Sequence, residues 1–335
     1  RPGRGNRWVR FGGDPPMTGQ RRNARGSGRQ GSSKPARSGG GARRGGPKSG
    51  GARRGGPNRS GSGAPHSRGA GRTGPVRADG DDRGSRPKTL GGEQIEGRQA
   101  VRELLLAQRR RTREIWISSE LEGSDGVEDI EALARANRVS VSYVARKRLE
   151  STARSEAPQG VIAFAGPIPE ADFASIVRRR QGHVPFIVAV DGVTDPGNLG
   201  AILRSCEGAG VDAVVVPRHR AVHVTPTVAK AAAGAVEHVP IAVVPGLPAA
   251  LSRLRDAGVW IVGLDDAADR DLFELGDLAS EPVCVVLGAE GAGLSRLVRE
   301  RCDLIIAIPM LGRVGSLNVS AAAALAAYEI RRHRR

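Results

Sequence analysis

The sequence predicts an α/β protein whose C-terminal part is a doubly wound, mostly parallel sheet. Six short apolar runs recur after about residue 170, at 186–190, 213–216, 239–244, 259–262, 283–287 and 304–308. They are near-continuous rather than alternating, which suits strands buried on both faces. Segments of helical character separate them, and that alternation builds a parallel sheet with helices on both sides. Glycines and small polar residues gather after residues 190, 287 and 308. Those are the carboxyl ends of predicted strands, where such sheets bind ligands.

A smaller α/β unit is expected over 91–166. A helix starts at Gly97 (GRQAVRELLLA), a strand covers 114–118, and a second helix covers 127–137. A strand of period two follows at 139–144, and another at 160–165. About 75 residues is an acceptable domain size. Residues 167–182 read as a linker with Pro167 and Pro169 plus a first helix, and 183–335 as the main domain.

Residues 1–90 differ in kind. They hold 22 of the 52 Lys and Arg but only 4 of the 35 Asp and Glu, so their net +18 exceeds the +17 of the whole chain. Gly, Arg, Ser and Pro dominate, and the segment GARRGGP at 41–47 recurs at 51–57. Such a stretch buries too little apolar surface to offset chain entropy, so it is expected to be a disordered tail. An Arg/Gly-rich arm suits the phosphate backbone of nucleic acid without reading sequence; a solubilising linker is the plainer alternative. Residues 1–16 precede Met17 and read as a start-site or expression artefact. No run of eighteen apolar residues and no secretory h-region is found, so neither a membrane span nor export is expected. Cys206, Cys284 and Cys302 lack CxxC spacing and read as buried thiols of a reducing, cytoplasmic compartment rather than zinc ligands.

Three segments carry chemistry. In DGVTDPGNLGAILR (191–204) a strand runs through a Pro-Gly turn into a helix opening near Asn198. Arg204 lies six residues on, within an apolar helix, where a guanidinium is costly without a partner or ligand. An N-cap Asn and a salt-bridged Arg explain the same residues. In VVLGAEGAGLS (285–295) a strand ends at Gly288, a bend follows, and a helix starts near Ser295. The spacing is GxxGxG, not the dinucleotide fingerprint GxGxxG, and there is no GxxxxGK[ST]. Glu290 inside the bend would repel phosphate and favours a cationic or neutral ligand; a tight turn with a solvated Glu is the alternative. In IPMLGRVGSLNVS (308–320) a strand ends at a Pro and a loop carries Ser316 and Asn318 into an alanine-dense helix. The plain alternative there is a connection with an Asn or Ser N-cap.

Taken in this order, the three segments resemble the SpoU family of the SPOUT superfamily, S-adenosylmethionine-dependent RNA ribose 2′-O-methyltransferases. The likeness spans 186–331. Residues 93–165, with IEGRQAV at 95–101 and PQGVIA at 158–163, are similar to the family's N-terminal substrate-binding domain of ribosomal-protein L30e-like fold. The family often has His where Pro158 stands. The domain plan is nearest to bacterial enzymes that methylate a guanosine of 23S rRNA.

The resemblance implies a deep trefoil knot and an obligate homodimer with the active site at the interface. It implies S-adenosylmethionine held by backbone at Gly288, Ile308 and Leu317, and no metal. The 2′-hydroxyl must lose its proton to attack. Arg204 is expected to stabilise the developing alkoxide or a neighbouring phosphate, because guanidinium is a poor base. Asn198, Ser316 and Asn318 would orient the ribose or brace the loops, and Glu290 would pair with Arg204 or favour the sulfonium charge. The competing expectations are methylation of tRNA or another rRNA site, and a non-catalytic RNA-binding assembly factor on the same fold. A dehydrogenase lacks its fingerprint.

Overall fold

The computed structural model describes residues 90–178, 182–219, 224–268 and 270–334; the basic tail lies outside them. The smaller unit runs β1 (Gln94–Glu96), α1 (Arg98–Ala107), β2 (Thr112–Ser118), α2 (Glu128–Ala136), β3 (Ser140–Val144), α3 (Arg146–Thr152) and β4 (Val161–Ala165). Its strands form one sheet in the order β1-β4-β2-β3, with β2 and β3 parallel and the other pairs antiparallel. The apolar stripes of α1 and α2 pack on one face around Ile95, Leu104, Ile115 and Ile130. Neither β1 nor α3 was expected. β1 is three residues long and carries the polar Gln94 and Glu96, so no apolar run marks it. Glu96 is buried because Arg154 N (2.7 Å) and Ser155 N (3.0 Å) both donate to its carboxylate.

The main domain continues with α4 (Phe173–Val177), β5 (Phe186–Val190), α5 (Pro196–Gly208), β6 (Ala213–Pro217), α6 (Pro226–Ala231), β7 (Ile241–Val244), α7 (Leu247–Asp256), β8 (Trp260–Leu264), β9 (Val283–Leu287), α8 (Arg296–Arg299), β10 (Leu304–Ile306) and α9 (Val319–His333). All six strands are parallel, in the order β10-β8-β9-β5-β6-β7. The predicted strand at 239–244 begins only at Ile241, after Pro240, which has no N–H to give a ladder. The one at 304–308 ends at Ile306, and Ala307 instead bridges Asp271.

The two faces of the sheet bury separate apolar layers. One joins Val188, Val214 and Val285 to α5 and α9, and the other joins Ile187, Val215 and Cys284 to α7. Burial pushes the Cys206 and Cys302 thiols up to about 12, and raises Cys284 as well. From β5 the chain steps toward β6 and β7, while β9, β8 and β10 lie on the other side of β5. The direction reverses between β5 and β9, a topological switch point where ligands bind beyond the strand ends.

A buried ion pair ties the units together. Arg110, just before β2, donates from Nε to Glu237 Oε2 at 3.0 Å and from Nη2 to Oε1; the side chains are 3% and 2% exposed. Its Nη1 also donates to the carbonyls of Gly92 (2.5 Å) and Gly166 (2.6 Å), where the chain enters and leaves the smaller unit.

Candidate active site

The site lies at the switch point and is held by aspartates at strand ends. Asp191 follows β5; its backbone N–H donates to Leu287 O (2.8 Å), and its carboxylate accepts from Ser295 N (2.8 Å). Asp195 is the N-cap of α5 and accepts from Asn198 N at 2.7 Å. The helix therefore opens at Pro196, not at Asn198, and Asn198 sits in its first turn. Pro at the first helical position lacks only an N–H that would be orphaned there anyway.

After β9 the chain doubles back tightly. Ala289 N donates to Gly293 O (3.0 Å), and Gly293 N returns the bond to Ala289 O (2.9 Å). A Cβ on Gly288 would lie 2.6 Å from Leu294 N, so this position admits no side chain. Asp265, after β8, braces the far side by accepting from Leu294 N (3.3 Å) and Ala267 N (3.0 Å) and pairing with Arg299 (2.8 Å). Burial raises the Asp265 carboxyl pKa, but the Arg299 hydrogen bond and the two amides outweigh it and hold the group below its ordinary value. The helix expected from Ser295 is only the four residues of α8.

The three predicted segments meet at Asn318. Its Nδ2 donates to Glu290 Oε1 (2.6 Å) and to Asn198 Oδ1 (3.0 Å). Its Oδ1 accepts from Ser320 N (2.9 Å) and Ser320 Oγ (2.6 Å), capping α9. A carboxylate can only accept, so the amide nitrogen must face Glu290 and the oxygen must face the helix. One side chain thus caps α9 and braces Glu290 and Asn198.

Beside this knot of polar groups lies a cavity of about 410 Å³, within the range of small-ligand sites. Gly288, Glu290, Ile308, Ser316, Leu317 and Asn318 line it. Asn198 does not, and reaches it only through Asn318. Asp265, Asp266 and Met310 line it too and were not anticipated. Asp265 and Asp266 follow the apolar run at 259–262, a fourth strand end whose signal was the same as the other three. The lining fits S-adenosylmethionine on its chemistry: apolar walls at Ile308 and Leu317, backbone at Gly288, and three carboxylates that favour a sulfonium cation.

Arg204 departs from expectation. It is exposed on α5, whose buried face is Leu199, Gly200, Ile202, Leu203 and Cys206. It forms no ion pair among the described residues, and Glu290 pairs with Asn318 instead. The helix is apolar along one face only, which leaves the guanidinium hydrated at no desolvation cost. On α9, which packs against α5, Leu325 and Tyr328 are exposed, and so are Leu311, Val314 and Leu317 of the cavity loop. Among the described residues no group of three or more His, Cys, Asp or Glu could hold a metal ion, and no helix is long and apolar enough to cross a membrane.

Comparison with known proteins agrees with this geometry. Residues 185–328 match the SpoU rRNA methylase family, and residues 94–171 match the RNA 2′-O ribose methyltransferase substrate-binding domain. The chain is 39% identical over 245 residues to the 23S rRNA (guanosine-2′-O-)-methyltransferase RlmB of Pseudomonas aeruginosa, covering 72% of this chain and 97% of that protein. It is equally identical over 243 residues to a protein of Staphylococcus saprophyticus assigned to the TrmH family of tRNA/rRNA methyltransferases, covering 72% and 95%. The crystal structure of the SpoU methyltransferase AviRb from Streptomyces viridochromogenes in complex with AdoMet superposes with a TM-score of 0.60 at 28% identity, over 72% of this chain and 89% of that one. The parallel α/β domain with its cavity at the switch point, and the smaller domain before it, make this chain a member of the SpoU family of RNA 2′-O-ribose methyltransferases.

Proposed function

We propose that the chain methylates the ribose 2′-hydroxyl of a guanosine in 23S rRNA, with S-adenosylmethionine in the cavity beside Asn318. The observation that carries this reading is the convergence of all three motif segments on one amide at the cavity rim. Similarity to the 23S rRNA enzymes over nearly their whole length supports the substrate.

The bound cofactor supplies an electrophilic methyl group. Gly288, Ile308 and Leu317 hold it, and the carboxylates of Asp265, Asp266 and Glu290 favour its positive charge. Asn318 keeps Glu290 and Asn198 in register, and Ser316, with no side-chain hydrogen bond among the described residues, remains available to the ribose. Arg204 meets the RNA and stabilises the alkoxide that forms as the 2′-hydroxyl passes its proton to water. Its exposure, and the exposed Leu325 and Tyr328 on the adjoining α9, support a homodimer in which a second copy completes the site. A trefoil knot in the C-terminal chain, an L30e-like smaller domain and cytoplasmic action complete the proposal.

The test is methyl transfer from labelled S-adenosylmethionine to a 23S rRNA transcript, with mapping of 2′-O-methyl positions. A single modified guanosine, lost with Arg204→Ala at unchanged fold and cofactor affinity, is the expected result. Modification of tRNA alone refutes the substrate. Cofactor binding without transfer to any RNA refutes the catalytic reading.

A further inference from the structure

The carboxyl end of β6 carries a cation without a partner. Arg218 directly follows β6, and its backbone N–H donates to Val244 O (2.8 Å), which closes the ladder with β7 and fixes the main chain there. Residues alternate across a strand. Val214 and Val216 belong to the apolar layer under α5 and α9, whereas Val215 faces α7. Arg218 continues the first set, so it stands on the side of the sheet that α5 covers, the helix of Asn198.

Its surroundings offer it no counter-charge. The Nε of Arg218 is buried and has no hydrogen-bond partner. The side chain makes no ion pair and no hydrogen bond among the described residues. From residue 213 to residue 255 the only acid is Glu237, and it is taken by Arg110. On the β5 side, the carboxylates of Asp191 and Asp195 accept instead from Ser295 N (2.8 Å) and Asn198 N (2.7 Å). Burying part of a guanidinium unpaired costs stability, and arginine cannot escape the cost by losing its proton.

The two edges of this guanidinium differ. Of its three nitrogens only Nε is sealed, and the residue as a whole is half-buried, so the two terminal nitrogens keep contact with solvent. A planar fork held along one edge and open along the other presents N–H groups outward. That arrangement matches two oxygens of a phosphate.

The place of Arg218 along the sheet says which phosphate. The strands run β8-β9-β5-β6 in space. The cofactor cavity opens over the ends of β8 and β9, at Leu264 and Leu287. Asn198 follows β5, and Arg218 follows β6. Neighbouring strands are about 4.8 Å apart, so Arg218 stands about 10 Å along this edge from the end of β9. A ribose held before Asn198 has the cofactor on one side and Arg218 on the other.

We propose that Arg218 grips a backbone phosphate of the RNA strand next to the target nucleotide, and so fixes how the ribose is presented to the methyl group. The proposal rests on the RNA methyltransferase reading.

The test compares the full chain with Arg218→Gln and Arg218→Lys in direct binding to a 23S rRNA transcript over a range of salt concentrations. Each phosphate contact contributes about 0.7 to 0.9 to the slope of log affinity against log salt. Arg218→Gln should lower the slope by that amount and weaken binding about tenfold. Arg218→Lys keeps the charge and loses the fork, so it should restore the slope and only part of the affinity. In methyl transfer, Arg218→Gln should raise the KM for RNA and leave the KM for S-adenosylmethionine unchanged. No contact within the protein is lost, so neither thermal midpoint should fall. Equal salt slopes for wild type and Arg218→Gln overturn the proposal, and a lowered midpoint at equal slope marks Arg218 as structural instead. A lower slope for Arg218→Gln in a chain that binds RNA but methylates none keeps the phosphate contact and overturns the enzymatic reading. A wild type that binds no RNA overturns both.

Discussion

Asn318 does two jobs through two different atoms, and Asn318→Asp separates them. The oxygen that caps α9 survives in aspartate, which is as good an N-cap and adds a favourable charge at the helix start. The nitrogen becomes an oxygen facing Glu290 Oε1 at 2.6 Å and Asn198 Oδ1 at 3.0 Å. Two exposed hydrogen bonds are lost, each about 0.5 kcal/mol at such a site. Two carboxylates that close repel by about 1.5 kcal/mol even at the dielectric of water. Holding the loops as they are therefore becomes about 2.5 kcal/mol harder, while the helix stays capped. Turnover at pH 7 should fall roughly fifty- to a hundredfold if the arrangement is required, since each 1.4 kcal/mol is a factor of ten. Global stability in urea should change by less than about 1 kcal/mol. Activity should partly return as pH falls and one proton comes to be shared by the pair. Asn318→Ala should do the opposite to stability, losing about 1 kcal/mol with the cap. Near-normal turnover of Asn318→Asp at pH 7 would refute the claim that this amide organises the site.

Gly288→Ala places a methyl group into backbone at Leu294 N, so calorimetry should show cofactor affinity reduced by two orders of magnitude or more. Glu237→Ala leaves the Arg110 guanidinium buried without its partner; breaking such a pair costs about 3–5 kcal/mol, to be read as a lower urea midpoint. The Asp265 carboxyl has its pKa lowered from the ordinary 3.8 by folding, so its contribution is present above that value and is lost as pH falls below it. The stability gap between wild type and Asp265→Asn should accordingly be full at pH 7 and shrink below about pH 4. A gap that widens on acidification would contradict that assignment.

Much of the main domain was legible because a strand buried on both faces must be apolar throughout, and five-residue runs of Val, Ile and Ala are hard to mistake. The cavity could be anticipated for the same reason: strand ends at a switch point follow from strand order, and small residues mark close backbone approach. What periodicity could not supply is who pairs with whom. Glu290 is expected to pair with Arg204 or to favour the sulfonium charge; of these the ion pair does not form, because the Asn318 amide, 28 residues on and past β10, reaches Glu290 instead. Glu96, Arg110 and Glu237 are buried charges whose partners lie 58 and 127 residues away, so nothing local in the sequence reveals them.

Those long-range pairs matter for function more than for the fold. Glu96 holds the chain at 154–155, immediately before a turn in which Ala157 (φ 49°) and Gln159 (φ 57°) are left-handed. Lys230 holds the turn itself from the main domain, and Arg110 grips both chain crossings and Glu237. Of these contacts, those of Arg110 and Lys230 fix the smaller domain against the main domain rather than leave it a loose tether. A tether tolerates variation in distance, whereas delivery of one methyl group to one ribose does not, because misplacement by about 1 Å can cost a hundredfold in rate. A buried charge pair adds little raw stability over apolar packing, but its bidentate hydrogen bonds are satisfied in one geometry. The Arg110–Glu237 pair at the junction, with the Lys230 contacts beside it, therefore holds the smaller domain at one spacing from the methyl-transfer cavity.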